Sequence, residues 1–156
     1  MFDDVRDLYQ EVILDHGQRP RHARRLACYD ATAAGDNPMC GDRVRVWLRY
    51  APDGSVAEAA FEGRGCAISI ASADLMAETI RGRTQAEIRR LFAGFRATLG
   101  SGDPAPQPEP ADRDALERLL PLGGVREYPS RVKCATLAWH AVLAALEGDA
   151  EETSHE

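Results

Sequence analysis

The sequence predicts an α+β domain, a small three-stranded antiparallel sheet with helices packed on one face. Three observations predict it. Residues 43–50, Arg-Val-Arg-Val-Trp-Leu-Arg-Tyr, alternate with a period of two, so Val44, Val46, Leu48 and Tyr50 share one face and three arginines with Trp47 share the other. Pro52-Asp53-Gly54 then turns the chain into a second strand-like run at 56–62, which makes a hairpin. From Cys66 onward the apolar pattern becomes helical. Strands first and helices after give a segregated α+β layer rather than an alternating α/β one.

Residues 2–15 read as a helix, with Val5, Leu8, Tyr9, Val12 and Ile13 on one face and Asp3, Asp4 and Asp7 in the first turns, where the helix dipole favours acid. It is expected to stop before Gly17, with Pro20 beyond. A weaker strand at 28–34 completes a three-stranded meander with the hairpin. Residues 66–81 are rich in Ala, Ile, Leu and Met and free of Pro and Gly, and read as a helix. A second helix, 84–97, begins at Thr84 with Glu87 three residues on, the pattern of a capping box. Residues 100–110 alternate Pro and Gly with polar residues and cannot propagate helix or strand. A short helix near 112–119 and a last helix from Pro129 to about 146 complete the chain. A single domain over 1–147 is expected, with a Pro-rich loop near 100–110 and an acidic flexible tail over 148–156.

Composition narrows the function classes. The chain has 156 residues, enough for one domain with its own core. It is 44% hydrophobic and 28% charged, with a formal net charge of −6. An acidic chain without a basic run argues against nucleic acid or an anionic membrane as partner. The charged N-terminus lacks the apolar stretch of a targeting signal, and no run of residues is long and apolar enough for a membrane span. A cytoplasmic protein is expected. Reduced cysteines there suggest metal binding or thiol chemistry before disulfides. The four cysteines stand at 28, 40, 66 and 134. The one lysine among many arginines is Lys133, directly before Cys134.

The residues that carry chemistry are Cys40-Gly41-Asp42, Gly63-Arg64-Gly65-Cys66 and Arg131-Val132-Lys133-Cys134. Cys40 and Asp42, two apart at the mouth of a strand, point the same way. Gly41 between them lets the backbone bend. Cys66 lies where a strand exit becomes a helix, and Cys134 in the first turns of another. A helix N-terminus favours a nearby thiolate, the form that binds metal or attacks sulfur. If the three stretches converge they offer three sulfurs and one carboxylate oxygen, a tetrahedral set for which zinc is the default. Arg131 and Lys133 would offset part of its negative charge. The spacing alone leaves another reading open, since free cysteines are often simply small buried residues.

The flanking residues resemble a known family. Leu8-Tyr9-Gln10-Glu11-Val12-Ile13-Leu14-Asp15-His16, Asn37-Pro38-Met39-Cys40-Gly41-Asp42, Phe61-Glu62-Gly63-Arg64-Gly65-Cys66-Ala67-Ile68-Ser69 and Arg131-Val132-Lys133-Cys134-Ala135-Thr136-Leu137-Ala138-Trp139 are similar, in this order, to the NifU/IscU-type iron–sulfur cluster assembly proteins. The resemblance runs from about residue 5 to 146 and implies the SufE/NifU-like, IscU-type fold. Within the family the chain looks like the SufU group. Scaffold-type IscU proteins have histidine where Lys133 stands, and a Leu-Pro-Pro-Val-Lys segment where this chain has Glu127-Tyr128-Pro129-Ser130-Arg131. SufU-type chains also carry an insertion between the second and third cysteines, which the stretch at 100–110 fits.

The SufU resemblance implies a zinc-dependent sulfurtransferase. Cys40, Asp42, Cys66 and Cys134 would hold Zn2+, and a SufS-type cysteine desulfurase would hand sulfur to Cys40 for the downstream iron–sulfur assembly machinery. Cys40, on an Asn-Pro loop beside Gly41, is the ligand placed to swing out. Arg131 is expected to serve as a neighbour of the metal or to steer the incoming persulfide. A scaffold that assembles a [2Fe–2S] cluster is the alternative, since thiolates serve both metals. A purely structural zinc domain is a third. Cys28 has no counterpart in the family pattern and is expected to be a thiol without a role. His16 is expected to cap a helix C-terminus, and His22, His140 and His155 are not expected to bind metal. Arg43, Arg45 and Arg49 form a cationic strand face, read as solvated surface or as a partner interface.

Overall fold

The computed structural model describes residues 2–37, 41–100 and 109–148. The order of elements is α1 (Phe2–Gln18), β1 (Ala31–Asn37), β2 (Asp42–Tyr50), β3 (Val56–Arg64), α2 (Ala67–Ile80), α3 (Gln85–Thr98), α4 (Pro110–Leu119), a 3-10 stretch at Leu120–Glu127, and α5 (Pro129–Leu146). The strands form an antiparallel sheet in the order β1-β2-β3, and α2 and α5 pack across one face of it. The expected α+β architecture is the one observed.

The β2–β3 hairpin positions the junction between sheet and helices. Asp53 accepts from both the amide and the hydroxyl of Ser55, and Ala51 N–H donates to the Ser55 carbonyl, closing a tight turn. A register shift between Arg49 and Tyr50 takes up the strand twist beside it. From there the ladder runs unbroken to Arg43 opposite Arg64, so Asp42 arrives at the strand exit where β3 gives way to α2. Val44, Val46 and Leu48 are buried toward the helices, as the alternation requires.

The helical layer explains why α2 shows no amphipathic stripe. It lies between the sheet, α1, α4 and α5, and is buried on most of its circumference. Phe92 of α3 stacks on Trp139 of α5, with ring centroids 5.6 Å apart and planes 5° from parallel, and Phe95 packs on the same indole at 5.4 Å. The capping box at Thr84 and Glu87 is present in both directions. Asp112 of α4 is buried between Arg83 and Arg90 at 2.9 and 2.7 Å; the Arg90 hydrogen bond holds its carboxyl below the usual carboxylate range.

Four features differ from the sequence expectation. Helix α1 continues through Gly17 to Gln18, because Gly17 packs against Ala67 of α2, where a larger residue would meet its backbone at 3.1 Å. Strand β1 lies three residues later than expected. Asp30 sits at its edge, where its carboxylate takes the Tyr50 amide at 2.8 Å, and Ala-Thr-Ala-Ala-Gly has too little polar contrast to reveal the register. The stretch after α4, for which the sequence predicts no element, winds on as a 3-10 helix, burying Leu122 and Val125. Finally, Trp47 on the arginine face of β2 is buried. The segment 19–30 folds over it, with Leu26 and Ala60 beside the ring and the Arg25 guanidinium 5.5 Å above it. The tail over 149–156 and most of the Pro-rich loop, 101–108, lie outside the described residues.

Candidate functional site

Three of the four expected metal ligands meet at one point. Asp42 opens β2, Cys66 is the N-cap of α2, and Cys134 lies in the second turn of α5. Their ligating atoms all lie within 4.8 Å of one another. Asp42 and Cys134 are 1% and 2% exposed, while Cys66 is half-buried and closes the site toward solvent.

Each side chain is aimed by its own element. The Cys66 amide donates to Asp42 Oδ1 at 3.0 Å, which fixes the carboxylate and leaves Oδ2 facing the Cys66 thiol at 3.9 Å. The thiol itself accepts from the Ser69 amide at 3.4 Å, so its sulfur occupies the place where a serine or aspartate oxygen would normally cap the helix. Gly65 makes this approach possible. Its φ is +151°, and a Cβ there would overlap the Asp42 carboxylate. The glycine before Cys66 therefore serves carboxylate placement. Cys134 Sγ lies 3.8 Å from the Ser130 carbonyl one turn back.

The electrostatics differ from the sequence expectation at one residue. Position near a helix N-terminus predicts a favoured Cys134 thiolate. Burial instead pushes that thiol well above its ordinary value, and the neighbouring Asp42 and Cys66 push the same way. Burial, with a carboxylate and a second thiol beside it, outweighs a helix end that is a full turn behind the sulfur. A cation at this point would reverse the balance. The Arg131 guanidinium stands beside the two sulfur groups, and Cys66, then Cys134, raises its pKa. Arg131 and Lys133 are exposed on the same turn.

Cys40 lies outside the described residues. On its two sides, the Gly41 amide donates to the Asn37 carbonyl at 2.8 Å with φ of +76° at Gly41, and Asn37 pairs with Asp42 across the β1–β2 ladder. The bend expected at Gly41 is present.

The chain's similarity to known proteins bears on this site. The family description "NifU-like N terminal domain" matches residues 8–135. The chain belongs to the NifU-like N-terminal domain family. Its curated relatives are proteins of iron–sulfur cluster assembly. It is 37% identical to the zinc-dependent sulfurtransferase SufU of Bacillus subtilis, over 86% of this chain and 86% of the relative. It is 35% identical to the iron-sulfur cluster assembly scaffold protein IscU of Streptococcus pyogenes serotype M1, over 92% of this chain and 85% of the relative. Among solved structures, a putative SUF-system scaffold protein from Fervidobacterium islandicum superposes with a TM-score of 0.73 at 29% identity, covering 87% of this chain and 94% of that one. The NifU-like N-terminal protein of Brucella abortus gives a TM-score of 0.73 at 29% identity, covering 94% and 99%. Family members thus carry both sulfurtransferase and scaffold names, and the assembly-protein family is common ground.

The other residues singled out in the sequence take their places around this site. Cys28 is exposed, lies before β1 rather than in a strand, and is not part of the Asp42, Cys66 and Cys134 group. His16 does more than cap α1. Its Nδ1 lies 2.5 Å from Asp74 Oδ2, a carboxylate with 0% exposure on α2. His140 sets its ring edge-on to Phe92 at 5.3 Å. Along the arginine face, Arg45 reaches Thr32 Oγ1 at 3.3 Å and Arg49 pairs with Glu58 at 3.2 Å, so part of that stripe is tied down within the chain. Asp74 escapes the sequence reading altogether. Its only signal is a carboxylate in the middle of an apolar helix that is buried all round. No described helix is long and apolar enough to cross a membrane.

Proposed function

We propose that this protein is a zinc-dependent sulfurtransferase that takes persulfide sulfur from a SufS-type cysteine desulfurase and passes it toward iron–sulfur cluster assembly. The observation that carries the proposal is the meeting of Asp42, Cys66 and Cys134 within 4.8 Å at the head of α2. Cys40 supplies the fourth donor and carries the sulfur in this reading. Two thiols and a carboxylate suit a borderline divalent ion in tetrahedral coordination, and the raised Cys134 thiol fits a pocket that resists further negative charge without one. Bound zinc holds thiols deprotonated and screens them from oxidation.

The remaining chemistry belongs to the chain. Cys40, which would be one of the residues holding the ion, attacks as a thiolate the outer sulfur of the desulfurase persulfide. The sulfur–sulfur bond of the partner breaks, its cysteine departs as thiolate, and the new sulfur–sulfur bond forms on Cys40. Asp42, Cys66 and Cys134 remain together, anchored by β2, α2 and α5. Arg131, exposed beside the thiols, draws the anionic persulfide toward Cys40. Lys133 favours this reading over the scaffold one, since scaffold-type relatives resemble this chain but are expected to place histidine before that cysteine.

The test combines a metal assay with mass spectrometry. Purified protein is expected to be colourless, to hold zinc, and to gain the mass of one sulfur on Cys40 after incubation with desulfurase and cysteine. Absence of that mass on Cys40 sinks the relay. The scaffold reading draws on the relatives that carry that name. It is favoured instead if reconstitution gives a stable cluster that transfers to an apo-acceptor.

A further inference from the structure

A second group of metal-ligating side chains lies two helical turns along α2 from Cys66, about 12 Å by the rise of an α-helix. Asp74 and Glu78, four residues apart, face the C-terminal end of α1 and the segment after it. His16 Nδ1 is 2.5 Å from Asp74 Oδ2 and 4.0 Å from Glu78 Oε2, and His22 Nε2 is 3.9 Å from Glu78 Oε2. The donor atoms of His16, Asp74 and Glu78 all lie within 4.8 Å of one another. We propose that His16, Asp74 and Glu78, with His22 at the rim, form a second cation site that takes a first-row divalent ion through nitrogen and carboxylate oxygen.

The geometry supports this in three ways. Ligand bonds of 2.0–2.2 Å in a tetrahedral arrangement place donor atoms about 3.4 Å apart. The observed separations straddle that value, so small side-chain movements bring the donors to ligand distance. Each carboxylate also has one oxygen already engaged and one turned inward. Asp74 Oδ1 accepts the amides of Arg21 and His22 at 2.8 and 2.9 Å, and Arg118 lies 4.0 Å from Glu78 Oε1. Oδ2 of Asp74 and Oε2 of Glu78 are the oxygens that face the histidines, and Asp74 is held by the kind of outer hydrogen bonds that orient metal ligands. Lastly, a buried Asp–His contact needs one histidine to anchor α1, yet a second carboxylate closes on the same point and a second histidine lies 3.9 Å from it.

The charges around the cluster are compatible with a dication. Arg21 is the nearest cation from the connecting segment, and it is paired with Asp15 at 2.5 Å. Arg118 of α4 is exposed and can swing away. In the bound form His16 would offer its Nδ1 lone pair to the ion, with the proton of the neutral ring on Nε2. The donor set lacks sulfur, which separates it chemically from the cysteine site and suits zinc, cobalt, manganese or ferrous iron alike. The bound ion would tie the end of α1 to α2. None of these residues takes part in the sulfur relay, so the two readings stand or fall separately.

The test uses the full chain loaded with zinc, freed of excess metal, and titrated with Co2+. One further equivalent is expected, with a ligand-field spectrum that lacks thiolate-to-cobalt charge transfer. Glu78→Gln and His22→Ala, both at partly exposed positions, are each expected to weaken that equivalent about tenfold or more without lowering the cysteine-bound zinc. The proposal is overturned if no further cobalt binds, or if cobalt binds only with the thiolate band, having displaced zinc. It is equally overturned if both variants bind the second equivalent as tightly as the parent chain.

Discussion

The head of α2 and its middle gather polar donors out of water in opposite ways. At the N-terminal end, Asp42 has one oxygen on the Cys66 amide, and its other oxygen faces the Cys66 thiol. Burial and like charge push the Cys134 thiol up, and the nearest cation, Arg131, stays at the surface. At the second site the donors satisfy one another. Asp74, although fully buried, receives two backbone amides and a histidine nitrogen. The first group is the one that the proposed ion would complete. The second closes on its own hydrogen bonds and would bind an ion by exchanging one of them. A cation should therefore be held tightly at the first and reversibly at the second.

The strongest way to break this contrast is Cys134→Ser. Losing one of the buried sulfurs should weaken zinc binding more than about 100-fold, or about 2.7 kcal/mol, read by competition against a chromogenic chelator. Full zinc retention would mean the proposed centre does not depend on the buried thiol. Asp74→Ala comes next, and its effect should fall on the fold. It strands two backbone amides and His16, so urea unfolding of the metal-free protein should show a loss of about 3 kcal/mol. A change within about 0.5 kcal/mol would show that water replaces the carboxylate there, and the self-satisfied description would fail. The smallest effect sharpens the role of Arg131. Arg131→Ala should leave zinc content unchanged while slowing desulfurase-driven persulfidation of Cys40 by roughly tenfold, with steeper loss at high salt in the parent chain than in the variant. Zinc loss in that variant would instead place the guanidinium in the support of the metal centre.

The local chemistry of both regions can be read from the chain to different degrees. Thr84 and Glu87 form their capping box because both partners lie within one turn. The alternation in β2 survives tertiary folding because its inner face is buried by helices that any such sheet must recruit. Cys66 announces itself by its flanking glycines, although the reason for Gly65 emerges only when Asp42 is seen against it. Asp74 and His16 are separated by the whole sheet in sequence, and nothing in either local stretch links them. Trp47 likewise looks like a surface residue among arginines until Leu26 and Arg25 cover it.

By itself the sequence determined the element types, the α+β layering, the hairpin and the three short stretches that bear sulfur and carboxylate. All of these depend on periodicity, turn residues and capping within a few positions of one another. Only the tertiary structure decided that Asp42, Cys66 and Cys134 share one pocket, that β1 pairs from Ala31 to Asn37, and that a carboxylate is buried against a histidine on α1. Those outcomes depend on strand register and on which helix faces meet across the core. A thiol that a helix end would ionise is pushed toward its protonated form by burial and by Asp42 and Cys66, and those neighbours come from elements far away in the chain.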